Sequence, residues 1–163
     1  GIFSQPQGWI ILAESLAGHG NRAYEYFKES SPSTMNDKAE IRKLEPYVHG
    51  QFTESTESPY EGRSHVHWLT GTASTTMVGM VEGMMGMRPD LHGLTVAPAI
   101  PSDWKELSMS KTFRGKHLSI VVKNPNGAQG GYKEMFLNGE KMENNYVPAD
   151  KLLAENEVVL VMS

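Results

Sequence analysis

The sequence predicts an α+β chain in which a helical stretch over residues 1–88 is followed by an antiparallel β module over residues 89–163. Three observations carry this. Apolar residues recur at helical spacing in the first stretch, where Trp9, Leu12, Ala13 and Leu16 fall at i, i+3, i+4 and i+7. After Arg88-Pro89 the period shortens to two, as in Leu118, Ile120 and Val122 against Ser119 and Lys123. Asn138-Gly139 then supplies a strong hairpin-turn signal. A chain of 163 residues, 39% hydrophobic, can bury one ordinary core or two small ones.

The first helix is predicted around the Trp9–Leu16 stripe, widened by Ile10 and Ile11, and buried on most sides. Gly18 and Gly20 close it, and Asn21 is placed to cap a second helix with Ala23, Tyr24 and Phe27 on its apolar face. Pro32 and Ser33 break that helix, and residues 36–63 show no sustained period, with Glu45-Pro46 and Ser58-Pro59 as further breaks. So long a loop is read as functional or disordered. A third helix is expected from about Thr70 to Met85, with Ala73, Met77, Met80, Val81 and Met84 as its core stripe. Its glycines at 71, 79, 83 and 86 each cost about 0.8–1 kcal/mol in a helix interior, so it needs tertiary packing to persist.

In the second stretch, Leu94-Thr95-Val96, the 118–122 segment, Tyr132–Leu137 and the final Val158, Leu160 and Met162 read as strands. Asn124-Pro125-Asn126-Gly127 reads as a turn. The chain opens Gly1-Ile2-Phe3 on buried-type residues with no signal-like segment, and it is expected to be a piece of a longer protein.

Composition excludes several function classes. The absence of Cys removes disulfide frameworks, thiolate nucleophiles and thiolate-bound metals. No apolar run approaches the roughly 20 residues that span a bilayer. Net charge is −4, with 7 Lys/Arg against 11 Asp/Glu in residues 1–90 and 8 against 8 thereafter. No basic run with interleaved aromatics is present, so neither nucleic acid nor an anionic membrane is the expected partner. A small anion remains admissible, since a few aimed donors suffice to bind it.

Three places could carry chemistry. Trp68-Leu69-Thr70-Gly71-Thr72-Ala73-Ser74 leads into the third helix, where hydroxyls and backbone N–H groups can approach an anion; the same threonines also suit ordinary helix capping. His65-Val66-His67 puts two imidazoles at i, i+2 with no third ligand set by spacing, and no metal is expected there. The acidic residues Asp37, Glu40, Glu45, Glu54, Glu57 and Glu61 are read as solvated or structural rather than as a carboxylate pair flanking a sugar. No nucleophile elbow is present.

Five ordered blocks extend this reading. Gly1-Ile2-Phe3-Ser4 with Gln7-Gly8-Trp9 comes first, followed by Asn36–Arg42 with Glu45-Pro46-Tyr47-Val48 and Gln51-Phe52. Trp68–Ser74, Arg88-Pro89-Asp90 and Ile100-Pro101-Ser102-Asp103-Trp104 complete the set. Together they resemble the C-terminal part of the inverting cellobiose and chitobiose phosphorylases. The run from His65 to Leu91 and the tail Tyr146–Leu152 are most similar to the branch acting on N,N'-diacetylchitobiose.

The resemblance implies that residues 1–88 are the last helices of an (α/α)6 catalytic barrel and that 89–163 form a C-terminal, jelly-roll-like β-sandwich. It implies a cytoplasmic enzyme, a homodimer at full length, that cleaves a β-linked disaccharide with inorganic phosphate. Inversion gives an α-sugar-1-phosphate and a free sugar. No cofactor is implied, and phosphate is the co-substrate. The general-acid Asp is expected upstream of Gly1, so no catalytic residue is assigned here and the isolated piece is expected to be inactive.

Carried over by position, Thr70 and Gly71 match the family's phosphate-binding Thr-Gly, and Gln51 matches its phosphate-contacting Gln. At position 5, where the family usually has a phosphate-binding His, this chain has Gln5, which donates a hydrogen bond but never carries charge. Other readings stand beside this one: cellobiose as the disaccharide, a non-catalytic carbohydrate-binding or packing module, or a hydrolase of similar barrel that uses water. An incomplete barrel would leave Trp9, Ile10, Ile11 and the Met stripe packed on the β module or exposed.

Overall fold

A computed structural model describes all of residues 1–163. The chain runs β1 (Ile2–Phe3), α1 (Pro6–Leu16), α2 (Gly20–Ser30), a 3₁₀ segment (Pro32–Lys38), α3 (Ala39–Arg42), β2 (Gly50–Thr53), β3 (Ser64–His67) and α4 (Thr72–Val78). The last of these continues as a π-helical turn over Gly79–Met84. Strands follow: β4 (Met87–Pro89), β5 (Gly93–Val96), β6 (Glu106–Phe113), β7 (Lys116–Lys123), β8 (Glu134–Leu137), β9 (Glu140–Lys141), β10 (Tyr146–Pro148) and β11 (Glu155–Val161). The stretch read as a long loop thus holds a 3₁₀ segment, a short helix and strand β2.

The helical part is held by small residues. Gly8, Ile11 and Ser15 are the buried positions of α1, and Thr72, Thr76, Gly79, Gly83 and Met84 form the buried face of α4 and its continuation. This corrects the predicted stripes in part: Ile11 and Met84 are buried as read, but Trp9 is 62% exposed, Leu16 57% and Met77 55%. A helix face of Gly, Ser and Thr lets two backbones approach more closely than bulky side chains allow. The expected apolar face of α2 does pack as read, with Ala23 buried and Tyr24 and Phe27 against Ile11 and Met84.

In the β module, a three-stranded sheet ordered β10-β5-β4 faces a five-stranded sheet ordered β6-β7-β11-β8-β9. Both contribute to one core of fifteen buried residues, among them Leu94, Val96 and Val147 from the first sheet and Leu118, Ile120, Val158 and Leu160 from the second. Burying one such side chain contributes roughly 1.5–3 kcal/mol. The module is not wholly antiparallel as predicted, because β11 pairs parallel with β7, Val158 opposite Ile120, and antiparallel with β8. The 124–133 connection leaves a one-strand gap between β7 and β8, and the C-terminal strand fills it. Two-residue turns close the flanking hairpins, with Arg114-Gly115 at φ 50° and 74° and Asn138-Gly139 at 51° and 84°. Positive φ at both turn positions matches the right-handed twist of the strands.

Asn124 organises that connection. It is fully buried; its amide donates to the carbonyls of Trp104 (3.0 Å) and Ala128 (2.8 Å), and its Oδ1 accepts from the Ala128 N–H (2.7 Å). Asn124→Ala is expected to lower stability by about 2 kcal/mol, since it strands three backbone groups on half-buried residues. Denaturant melts check this, and a loss below about 0.5 kcal/mol would show that water replaces the amide.

The two parts are stitched at the start of α2. Asn21 does not cap that helix as predicted: the helix begins at Gly20, and the Asn21 amide instead donates to Ser102 Oγ (3.2 Å) while its Oδ1 accepts from the Ser102 N–H (2.8 Å). Tyr24 meets Trp104 edge-on at 5.1 Å, and Val81 and Met85 pack on the β core. The helical part is therefore fixed on the module, leaving the small sheet β1-β2-β3 and the start of α4 at its free end.

Candidate functional site

The segment leading into α4 leaves β3 through two left-handed residues. Val66 has φ 55° and Trp68 φ 65°. For a β-branched residue such a φ is an outlier, and held conformations of this kind cost about 1–3 kcal/mol each. Val66 lies inside β3, between His65 and His67, so its left-handed φ interrupts the regular strand geometry between the two imidazoles. His65 stacks on Phe52 (centroids 4.7 Å, 13° between planes), and its Nε2 lies 3.0 Å from Glu54 Oε1, at ion-pair distance but off hydrogen-bond geometry. No group of three His, Asp or Glu side chains lies together as a metal-binding set.

Beyond Trp68 the hydroxyls of three threonines knit the turn. The Thr72 N–H donates to Thr70 Oγ1 (3.1 Å), and the two hydroxyl oxygens are 2.8 Å apart. The Thr72 hydroxyl, on a residue 1% exposed, reaches the Gly50 carbonyl at 3.3 Å. Thr75 Oγ1 lies within 3.0 Å of the Gln5 carbonyl and 3.1 Å of the Gly71 and Thr72 carbonyls. Gly71 itself is the N-cap residue and has no side chain to close the first turn.

These contacts bring the four expected residues into one neighbourhood. A Cβ built on Gly71 would sit 3.0 Å from Gln5 Nε2, so the Gln5 amide rests directly on that glycine. The Ser4 N–H donates to the Gln51 carbonyl (2.8 Å), which ties the residue before Gln5 to the strand carrying Gln51. Gly50, next to Gln51, is bonded to Thr72. Gln5, Gln51, Thr70 and Gly71 are all half-buried. Thr75 escaped sequence reading, because a threonine inside a helix carries no mark of the distant carbonyl it will brace.

A cavity of about 380 Å³ borders this neighbourhood, sharing Ser4, Gly50 and Thr72 with it and lined also by Lys38, Arg42 and His49. Arg42 donates to the carbonyls of Pro32 (3.4 Å) and Val48 (3.3 Å), holding the approach to β2. Burial, and then the Arg42 charge, push the His49 imidazole below its usual 6.5. A lowered folded pKa means that the unfolded chain binds the proton more readily, so this residue's contribution to stability is complete above about pH 6.5 and falls as pH drops below it. His49→Gln is expected to flatten the decline in melting temperature between about pH 7 and pH 5; an unchanged slope would show that other groups set it.

Several of the acidic residues are engaged by neighbours of other kinds. Glu40 reaches Lys43 (3.2 Å); the backbone N–H of Glu45, and after it the Trp68 indole N–H (3.4 Å), hold the Glu45 carboxyl below the usual range. The Trp68 ring, 67% exposed, meets Tyr47 edge-on at 6.1 Å. No helix is long and apolar enough to cross a membrane.

Residues 1–86 match the glycosyl hydrolase 94 superfamily, catalytic domain, and residues 87–129 match the glycosyl hydrolase family 65, C-terminal domain. An N,N'-diacetylchitobiose phosphorylase from Vibrio furnissii is 35% identical over 161 residues, which is 99% of this chain and 20% of that protein. A solabiose phosphorylase from Paenibacillus borealis is 28% identical, covering 85% of this chain and 18% of that protein. The chain thus spans about a fifth of the length of these relatives. Among solved structures, a family GH92 α-mannosidase from Bacteroides thetaiotaomicron superposes with a TM-score of 0.42 at 12% identity, over 96% of this chain and 17% of that one.

Proposed function

The chain belongs to the glycosyl hydrolase 94 superfamily, and on that premise we propose that it is the C-terminal part of an inverting glycoside phosphorylase and supplies one wall of its phosphate site. The substrate is a β-linked disaccharide, N,N'-diacetylchitobiose, and the products are an α-sugar-1-phosphate and a free sugar. Residues 1–88 end the (α/α)6 barrel and 89–163 form the C-terminal sandwich. The observation that carries the reading is the Gln5 amide lying on Gly71, the glycine that follows Thr70 in the chain.

A phosphate oxygen attacks the anomeric carbon from the α face as the bond to the leaving glycosidic oxygen breaks on the β face, and an upstream Asp protonates that oxygen. The residues of this chain do no proton chemistry. They orient the nucleophile: the Thr70 hydroxyl and the Gln5 and Gln51 amides donate to phosphate oxygens, and Gly71 lets the anion approach the backbone closely. Phosphate brings its own negative charge, so no second carboxylate is needed to activate a water. The exposed Trp9, Ile10, Leu16, Met77 and Val78 are the faces that upstream barrel helices cover.

Incubating the full-length protein with N,N'-diacetylchitobiose and phosphate is expected to give α-N-acetylglucosamine-1-phosphate and free N-acetylglucosamine, read by proton and phosphorus NMR. The isolated 163 residues are expected to release neither. A β-phosphate product, or sugar release without phosphate, would overturn the inverting-phosphorylase reading; turnover by the isolated chain would place the acid within it.

A further inference from the structure

We propose that Thr72 is a positioning residue for phosphate, a buried hydroxyl relay that frees the Thr70 hydrogen for the anion; the inference rests on the phosphate reading of the Thr70-Gly71 turn. Thr72 lies between that turn and β2, 2.8 Å from Thr70 Oγ1 and 3.3 Å from the Gly50 carbonyl oxygen. Each hydroxyl has one hydrogen, and a carbonyl only accepts. With the Thr72 hydrogen on the Gly50 carbonyl, the Thr70 hydrogen points at Thr72 Oγ1, while Thr70 Oγ1 also accepts from the Thr72 N–H. In that arrangement Thr70 offers an incoming anion only lone pairs.

For Thr70 to donate to phosphate, its hydrogen must turn off Thr72, and Thr72 must become the donor in that pair. The Gly50 contact is the longest of the three and is the one that yields. Once the relay turns, Thr70 Oγ1 accepts from both the hydroxyl and the N–H of Thr72. This polarises its own O–H and strengthens the bond to the anion. The same turn releases the carbonyl that precedes Gln51, so the exchange reaches a second residue of the phosphate wall. A valine at position 72 fills the same space but gives Thr70 Oγ1 no hydroxyl donor, so the Thr70 hydrogen, though released, is neither aimed nor polarised toward the anion, whereas a serine keeps that donor.

The test uses the full-length protein and compares KM for inorganic phosphate with KM for N,N'-diacetylchitobiose. Thr72→Val is expected to raise the phosphate KM about threefold to tenfold, the size of one lost hydrogen bond between neutral groups, with the disaccharide KM within about twofold. Thr72→Ser is expected to restore the phosphate KM to within about twofold of the parent, a rescue that a packing role alone would not predict. If Thr72→Val is neutral while Thr70→Val raises the phosphate KM, the relay is wrong and the phosphate site stands. If Thr70→Val is neutral too, both fail. A serine variant as impaired as the valine one makes the role steric and overturns the relay. Should the valine variant not fold, Thr72→Cys, a weak donor of similar size, is expected to raise the phosphate KM partway; an unchanged value would count against the relay.

Discussion

Gly8→Ala is expected to lower the melting temperature by about 10 °C, through a loss of about 4 kcal/mol. The added Cβ would stand 2.2 Å from the Thr75 carbonyl carbon and 2.5 Å from the Thr76 nitrogen. Both are backbone atoms of α4, and no rotamer change moves them aside, so the two helices must separate along their length. At the same crossing a Cβ added at Gly79 would stand 2.6 Å from the Gly8 oxygen, and one added at Gly83 would stand 2.9 Å from Ser15 Oγ. Separation there loosens Ile11 and Met84 together, which is why the cost exceeds the usual 1–3 kcal/mol of an overpacked core. It also lifts Thr75 from the Gln5 carbonyl, linking the crossing to the candidate site. A shift below about 2 °C would show that α1 and α4 have room to adjust.

That crossing also explains where the sequence was legible. The face of α2 could be read because Ala23, Tyr24 and Phe27 are apolar and buried, whereas α1 buries Gly8 and Ser15 and exposes Trp9. Periodicity of bulky residues locates a helix but misassigns its inward face when close backbone approach selects small ones. Alternation likewise marked β7 and β11 as strands without revealing their parallel pairing, since direction depends on how the chain returns. Asn21 had a capping residue's chemistry, yet its amide was taken by Ser102, far along the chain. At the candidate site, Thr70, Gly71 and Thr72 are contiguous and were visible in the residues themselves. Gln5 and Gln51 could be linked to them only through resemblance, because nothing local records that β1, β2 and α4 meet.

Thr70→Val tests the central claim most directly. The substitution keeps the shape of the side chain and removes the hydroxyl of a half-buried residue just before α4, next in the chain to the glycine on which the Gln5 amide rests. A hydrogen bond to a charged group contributes about 1.5–3 kcal/mol, so the phosphate KM of the full-length protein is expected to rise about tenfold to a hundredfold. The disaccharide meets other residues, and its KM is expected to stay within about twofold. The decisive measurement is therefore the ratio of the two KM values in Thr70→Val against the parent: a rise of tenfold or more places phosphate on this wall, as the account predicts, and an unchanged ratio would contradict it.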